Sequence, residues 1–241
     1  HYHQTVPSWQ YPEAAIRDVR RAAAGLGRQA EIICCRRVKK YSPGVVHAVI
    51  DARIDRDFYP EIFQQFMIVK WLGHSCFLLK GDDGLLILFD PFFEEEVGYP
   101  LPIMETNIVI ISHDHLDHNN VDAAGSNPDV IFGPGEYISM GLDILGIKSY
   151  HDNKRGRQRG ENTIFCFELD GVRVCHLGDL GHALSPLQIR EIGQVDLLFI
   201  PVGGRYTIDA KGANEVMRQL DPAVAVPIHY KTGALSFDLD P

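Results

Sequence analysis

One stretch constrains this chain more than any other: Ser112-His113-Asp114-His115-Leu116-Asp117-His118-Asn119-Asn120. It follows Ile108-Val109-Ile110-Ile111, a short β-branched run bounded by polar residues, which reads as a buried strand. The cluster therefore sits on the loop leaving the C-terminal end of a strand, where α/β folds place their chemistry. The spacing is His-x-His-x-Asp-His, and imidazole and carboxylate are the ligands that zinc and similar divalent ions take. Packing them together without a cation costs desolvation and like-charge repulsion. A solvated, histidine-rich loop is the plainer alternative, but few motifs are this dense in ligand types.

The 241 residues are 45% apolar, enough for one large domain or a domain with an appendage. No apolar run approaches a membrane span, so no membrane partner is expected. The five cysteines, Cys34, Cys35, Cys76, Cys166 and Cys175, form no Cys-x-x-Cys pair, and most lie in apolar runs. A reduced, cytoplasmic setting fits them. The net charge of -9 is uneven: residues 1–65 carry +3 and the remainder -12. The acidic part lacks the basic footprint that nucleic-acid binding needs.

Within the first 65 residues, Pro12 to Gly25 reads as a helix, with proline in its first turn and Gly25/Gly27 stopping it. Glu31 to Val38 and Val45 to Ile54 read as strands around the turn Tyr41-Ser42-Pro43-Gly44. One helix and one hairpin bury too little apolar surface to stand alone. His1-Tyr2-His3-Gln4-Thr5-Val6-Pro7, Gly27-Arg28 and Arg37-Val38-Lys39-Lys40-Tyr41-Ser42-Pro43-Gly44-Val45-Val46-His47 resemble the C-terminal end of archaeal-type tRNA guanine-N1 methyltransferases. The resemblance covers about residues 1–56. It implies a last helix and closing hairpin (domain 1–60) without the cofactor loop. The expectation is then a piece of a longer fusion or two joined reading frames, with Met67 a start for the second.

From residue 66 the chain reads as a meander followed by alternating strands and helices. Strands are expected at Phe66–Gly73, Cys76–Lys80, Leu85–Phe89, Ile108–Ile111, Val130–Phe132, Ile144–Tyr150, Asn162–Leu169, Val172–Leu177, Val195–Pro201 and Ala223–Ile228. Helices are expected from Asn119 or Asn120, over Pro134–Leu142 and Pro186–Ile192, and from an Asp209 cap to Leu220. Such an order suits two packed sheets with helices outside. His151, Asp179 and His229 each fall at the C-terminal end of an expected strand. Each alone is a weak signal, but four strand ends carrying ligand types on one rim make a strong one.

The order His-x-His-x-Asp-His, His, Gly-Asp, His resembles the metallo-β-lactamase superfamily. Trp71-Leu72-Gly73-His74-Ser75, Asp90-Pro91-Phe92, Arg159-Gly160-x-Asn162-Thr163-Ile164, His176-Leu177-Gly178-Asp179-Leu180-Gly181-His182, Ile200-Pro201-Val202-Gly203-Gly204 and Ile228-His229-Tyr230 resemble its branch containing L-ascorbate-6-phosphate lactonase. The resemblance implies an α/β (α+β) αββα sandwich over 66–241, preceded by the short αββ segment, with a binuclear metal site. By that similarity His113, His115 and His151 hold one cation, Asp117, His118 and His229 the other, and Asp179 bridges both. Family members continue past the last histidine into a closing helix, so a truncated C-terminus is the expectation here.

Two such ions, zinc first, with manganese or iron also compatible, share a water whose lowered pKa makes it a hydroxide nucleophile. The expected reaction is hydrolysis of a small-molecule ester, lactone or phosphoester, with Asp117 and Asp179 as catalytic residues. No serine elbow is present, and Cys76 reads as a buried, inert thiol. His74, Arg159, Asn162 and Tyr206 are candidate substrate contacts, His182 a support for the ligands, and His176 structural. Asp152-Asn153-Lys154-Arg155-Gly156-Arg157-Gln158-Arg159 is a basic loop in an acidic domain, either solvated surface or a lid for a phosphorylated or anionic substrate. Two further readings are an RNA-processing metallo-nuclease and a non-catalytic module of a methyltransferase fusion. Homo-oligomer formation is left open.

Overall fold

A computed structural model describes residues 2–7, 16, 17, 19–21, 23, 30–42, 45–55 and 66–239. Its strands are β1 (Tyr2–Pro7), β2 (Ala30–Ser42), β3 (Val45–Asp55), β4 (Phe66–Gly73), β5 (Cys76–Lys80), β6 (Leu86–Phe89), β7 (Ile108–Ile111), β8 (Asp129–Phe132), β9 (Gly135–Ser139), β10 (Leu142–Tyr150), β11 (Glu161–Leu169), β12 (Val172–His176), β13 (Leu197–Pro201) and β14 (Val224–Ile228). The helices from residue 66 on are the single turn α1 (Glu94–Val97), α2 (Pro186–Ile192) and α3 (Ala210–Leu220).

Two sheets form. The first runs β1-β3-β4-β5-β6-β7-β8, with β2 also paired to β3, and the second runs β14-β13-β12-β11-β10-β9. Alternation along the strands explains their packing. Ile108 and Ile110 join Phe77, Phe89, Phe165, Phe167 and Phe199 in the core between the sheets. Val109 and Ile111 point the other way, onto Val97, Leu101, Ala123, Leu235 and Leu239. The second sheet's outer face packs Cys166, Cys175 and Leu198 against Ile192 of α2 and Ala213, Val216 and Leu220 of α3. Because both faces of β7 are buried, its sequence is an unbroken apolar run rather than an alternating one. The layering is the two-sheet sandwich expected from the order of elements. Cys76, Cys166 and Cys175 are buried free thiols. Among the described residues, no helix is long and apolar enough to cross a membrane.

Most expected elements are found, with shifted ends. The exception is Pro134–Leu142. It is not a helix but β9 and the start of β10, which pair as a hairpin with Ser139 opposite Leu142. The two-residue turn, Met140 at φ 50° and Gly141 at φ 81°, has both residues left-handed, the twist a tight hairpin needs. The segment at Asn120 is only a 3-10 turn over Val121–Ala124; the Asn120 side chain does not cap it, and its amide donates to Phe92 O. Tyr2–Pro7 is a strand on β3 that the sequence reading did not assign. The hairpin β2–β3 lies where expected and continues the first sheet through Ile54 opposite Met67. Helical residues occur at 16, 17, 19–21 and 23, while the rest of the expected Pro12–Gly25 helix and the Pro43-Gly44 turn lie outside the described residues.

One turn carries a pH signature. Asp170, in the Asp-Gly turn joining β11 to β12, accepts a hydrogen bond from the Asp82 amide at 2.9 Å. Partial burial and the Asp82 and Asp83 carboxylates push its pKa up to about 6. A carboxyl raised in the folded state costs stability as pH rises from the ordinary ~4 through 6, and the loss persists above. Asp170→Asn, which tolerates the left-handed φ of 51°, should raise Tm by a few degrees near neutral pH and leave it unchanged below about pH 4. An equal effect at both pH values in thermal melts would reject the repulsion.

Candidate metal centre

The site forms because antiparallel steps, then parallel ones, point several strands of each sheet the same way. In the first sheet β4, β6 and β7 run the same way, and in the second β10, β12 and β14 do. Six strand ends therefore open onto one rim. They deliver His74, Asp90, the His113–His118 loop, His151, Asp179 and His229.

All seven expected ligands meet there. Three groups have donor atoms within 4.8 Å of one another: His113, His115 and His151; His74, Asp117, His118 and His229; and His113, His118 and Asp179. Asp179 is the hub. Its Oδ2 lies 2.9 Å from His229 Nε2, 3.1 Å from His151 Nε2 and 4.0 Å from His113 Nε2, and its Oδ1 lies 3.4 Å from His118 Nε2.

The outer ring nitrogens fix what those inner ones are. His151 Nδ1 lies 3.1 Å from Tyr206 O, a carbonyl that can only accept, so Nδ1 carries the proton. Ser112 Oγ donates to Asp90 Oδ2 at 2.8 Å and so accepts from His113 Nδ1 at 2.9 Å. His118 Nδ1 lies 3.0 Å from Asp90 Oδ2. In the neutral rings the Nε2 lone pairs of His113 and His151 then face the Asp179 carboxylate, and the Asp90 carboxylate beside His118 Nδ1 favours the same tautomer there. Both oxygens of that carboxylate, with His113 Nε2 and His118 Nε2, are buried and lack hydrogen-bond partners among the described residues. Lone pairs facing an anion in a buried site require positive charge between them, supplied by protons or by cations. The donor set, His and Asp only, fits divalent metal ions.

The titration behaviour follows. Burial lowers the pKa values of His113 and His115, with neighbouring imidazoles adding to the effect. Burial alone would lower His118 and His151 too, but Asp179 raises both, and Asp117 and Asp90 also raise His118. Burial would raise the carboxyls of Asp179 and Asp117, yet the surrounding histidines hold both well below the ordinary range. His74 is pushed down to about 4 by burial and by His229, against the pull of Asp117.

The supporting residues include several that the sequence reading passed over or placed differently. Asp90 holds His118 and, through Ser112, His113. The sequence reading marked it only as a strand-ending carboxylate in the Asp90-Pro91-Phe92 motif and gave it no role. Asn162 does not contact the cavity. It is buried, its amide nitrogen donates to Ser149 Oγ and Leu177 O, and its oxygen accepts from the Asp179 N–H at 3.0 Å. Its amide is consumed in positioning the Asp179 loop. His74 is likewise sealed from the cavity and joins the Asp117–His118–His229 group. His182 bonds Ala183 O and the Tyr150 N–H, bracing the strand end before His151 rather than a ligand ring. His176 stacks on Phe89 at 4.6 Å and is structural. Cys76 is buried and its thiol pKa is raised well above normal, so it supplies no nucleophile. Two glycines let the loops close in: a Cβ on Gly203 would fall 2.0 Å from His229 O, and one on Gly178 2.4 Å from Asn162 Oδ1.

A cavity of about 790 Å³ opens over His115, Asp117, His151, Asp179 and His229. Arg159, Tyr206 and Phe237 form part of its wall. The Arg159 and Arg205 guanidinium groups lie 5.6 and 5.8 Å from the Tyr206 ring centroid. The basic loop is built on Asp152. Its carboxylate accepts from the amides of Lys154, Gly156, Gln158 and Arg159, which holds its pKa down at about 2.

A family profile described as "Beta-lactamase superfamily domain" matches residues 68–229. That defines the class of protein. A "UPF0173 metal-dependent hydrolase" of Methanobrevibacter smithii is 30% identical over 198 residues, covering 69% of this chain and 82% of that one. One from Archaeoglobus fulgidus is 29% identical, covering 69% and 84%. A crystal structure from Thermotoga maritima, titled as a proposed Zn-dependent hydrolase of the metallo-β-lactamase superfamily, is 42% identical with a TM-score of 0.60, covering 72% of this chain and 80% of that one. The chain belongs to the metallo-β-lactamase superfamily, within the UPF0173 metal-dependent hydrolase family.

Two predictions follow from this geometry. Asp90→Asn should weaken metal binding by about 10–100-fold with the fold retained, measured by chelator competition; unchanged affinity would deny Asp90 its role. Asp152→Asn should abolish amide-exchange protection across residues 154–159 near pH 6. In the wild type, the contribution of a depressed carboxyl is present above ~pH 4 and is lost as pH falls toward 2. Retained protection in the variant would show that another interaction orders the loop.

Proposed function

We propose that this protein is a binuclear metal-dependent hydrolase acting on a small-molecule ester, lactone or phosphoester that carries an anionic group. One observation supports it above the others: a buried Asp179 carboxylate faces four imidazole nitrogens, two of them on rings whose outer nitrogens are already hydrogen-bonded. The proposed ligands are His113, His115 and His151 for one cation and Asp117, His118 and His229 for the other, with Asp179 between. Zinc suits this set, and manganese or iron(II) also fits it. Cations held there polarise the scissile carbonyl or phosphoryl oxygen and lower the pKa of water toward neutrality.

The chain's own residues do the rest. Asp117 faces the cavity, which places a carboxylate oxygen to orient the attacking water. Arg159, with Lys154, Arg155 and Arg157 on the loop ordered by Asp152, attracts an anionic group. Tyr206 orders the Arg159 guanidinium through its ring and His151 through its carbonyl. Phe237 lies 5.4 Å from His74 and 6.4 Å from His229 and shields them from bulk water. A cavity of this size suits a small molecule. The lactonase-like motifs around His74, Asp90 and Asn162 make sugar lactones the first compounds to try. For residues 1–60 the methyltransferase-fragment reading rests on the N-terminal motifs and the helix-then-hairpin order.

Freshly purified protein should contain about two cations per chain, and His115→Ala about one or fewer. In a screen of lactones and phosphodiesters, Arg159→Ala should raise KM for an anionic substrate about tenfold with kcat nearly unchanged. No metal uptake after reconstitution with zinc or manganese would overturn the proposal.

A further inference from the structure

We infer that His74 is itself a ligand of the second cation, forming a four-residue set with Asp117, His118 and His229. The inference rests on the binuclear reading and divides the two metal positions into unlike roles.

Distance is the first argument. His74 Nε2 lies 3.3 Å from Asp117 Oδ2, and His118 Nε2 lies 3.6 Å from the same oxygen. Two ligand atoms about 2.0–2.2 Å from one cation at a tetrahedral angle are ~3.3–3.6 Å apart. A histidine donating directly to a carboxylate closes to roughly 2.7–2.9 Å. Both separations match shared coordination better than a charge-assisted hydrogen bond.

Environment is the second. His74 is only 2% exposed, and among the described residues neither ring nitrogen has a hydrogen-bond partner. The ring packs 4.4 Å from His229 and 5.3 Å from His118, with Phe237 at its edge. A buried imidazole with an unpartnered Nε2 aimed at a carboxylate and two other imidazoles is costly unless something joins them.

The backbone is the third. His74 holds φ at 48° after Gly73 at 133°. The Trp71 indole donates to His74 O at 3.0 Å, and the β4–β5 register slips between Trp71 and Gly73. This strained turn tips the ring inward, and such strain persists where the surroundings over-determine it.

The two positions then differ in ligand count. His115 and His151 of one set and Asp117 and His229 of the other line the cavity, but His74 gives the second set a fourth protein ligand where the first has three besides Asp179. A complete ligand set favours retention, and an incomplete one leaves a place for substrate. The cation on His113, His115 and His151 is the exchangeable, substrate-facing one, and the cation on the His74 set is retained.

The test is zinc titration of the chelator-treated full chain against a chromophoric competitor, repeated with cobalt(II) to record its visible spectrum. His74→Asn and His74→Gly both suit the left-handed turn. The expected result is two binding steps in the wild type. In each variant the tighter step should weaken at least tenfold, the cobalt spectrum should change, and the melting curve without metal should be unaltered. Added imidazole should restore the step in His74→Gly. Two unchanged dissociation constants with an unchanged cobalt spectrum in either folded variant would overturn the assignment. A wild-type chain that binds fewer than two cations overturns instead the binuclear reading beneath it.

Discussion

A carboxylate buried among imidazoles sets the terms for the rest of this molecule. Asp179 is fully enclosed, and isolating its charge in an apolar interior would cost tens of kcal/mol by simple solvation arguments, rarely realised because such groups find partners or a proton. Here the partners come from six strand ends. They converge because antiparallel pairing aligns β4 with β6 and β10 with β12, and parallel pairing brings β7 and β14 to the same rim. The Asp90–Ser112–His113 chain, the Asp90–His118 contact and the Tyr206 carbonyl on His151 then turn each inner nitrogen toward the hub. Asn162 completes the arrangement by accepting the Asp179 amide. Sheet topology, outer hydrogen bonds and inner electrostatics form one coupled system.

That system carries backbone strain. His74, Asp90 and His229 all adopt positive φ, a region L-residues seldom occupy and that costs about 1–3 kcal/mol each. The opposing terms are the three apolar layers. Phe77, Phe89, Phe165, Phe167 and Phe199 are each at most 1% exposed between the sheets, and each buried aromatic contributes roughly 2–3 kcal/mol. The core is thus large enough to hold the strained strand ends in place. The close approach of Gly203 to the His229 carbonyl shows how little slack remains.

Much of this was legible in the sequence. Ligand types at strand ends carried the site, since apolar runs such as Ile108–Ile111 and Val224–Ile228 define where strands stop. The supporting layer was harder to read. Asp90 meets Ser112 across 22 positions, and only the parallel pairing of β6 with β7 brings them together. Asn162 looked like a ligand-facing amide by residue type, whereas its place on β11 turns it into the protein. Pro134–Leu142 offered apolar residues at Tyr137, Ile138 and Leu142, a spacing compatible with helix. Sheet pairing overrode it, with Met140 accepting a left-handed turn that local preference opposes. His74 read as a substrate contact because its strand end was visible but the inward tilt of its ring was not.

The outer parts of the site differ in kind from its centre. The centre depends on fixed strand ends and tolerates little change. The cavity wall is made of loops: the Asp152-ordered segment, the Arg159–Tyr206–Arg205 stack and the strap carrying Phe237, which is tied down by the Lys231 and Arg205 contacts to Asp238. These loops pack on the frame without bearing the strain of the ligand strands. They can change in sequence without disturbing the hub, so substrate choice resides in them while the metal chemistry resides in the sheets. A single carboxylate, Asp152, holds four amides of the basic loop, so even this variable layer is preorganised: the positive charge presented to an anion is fixed before the anion arrives, and less ordering is needed on binding.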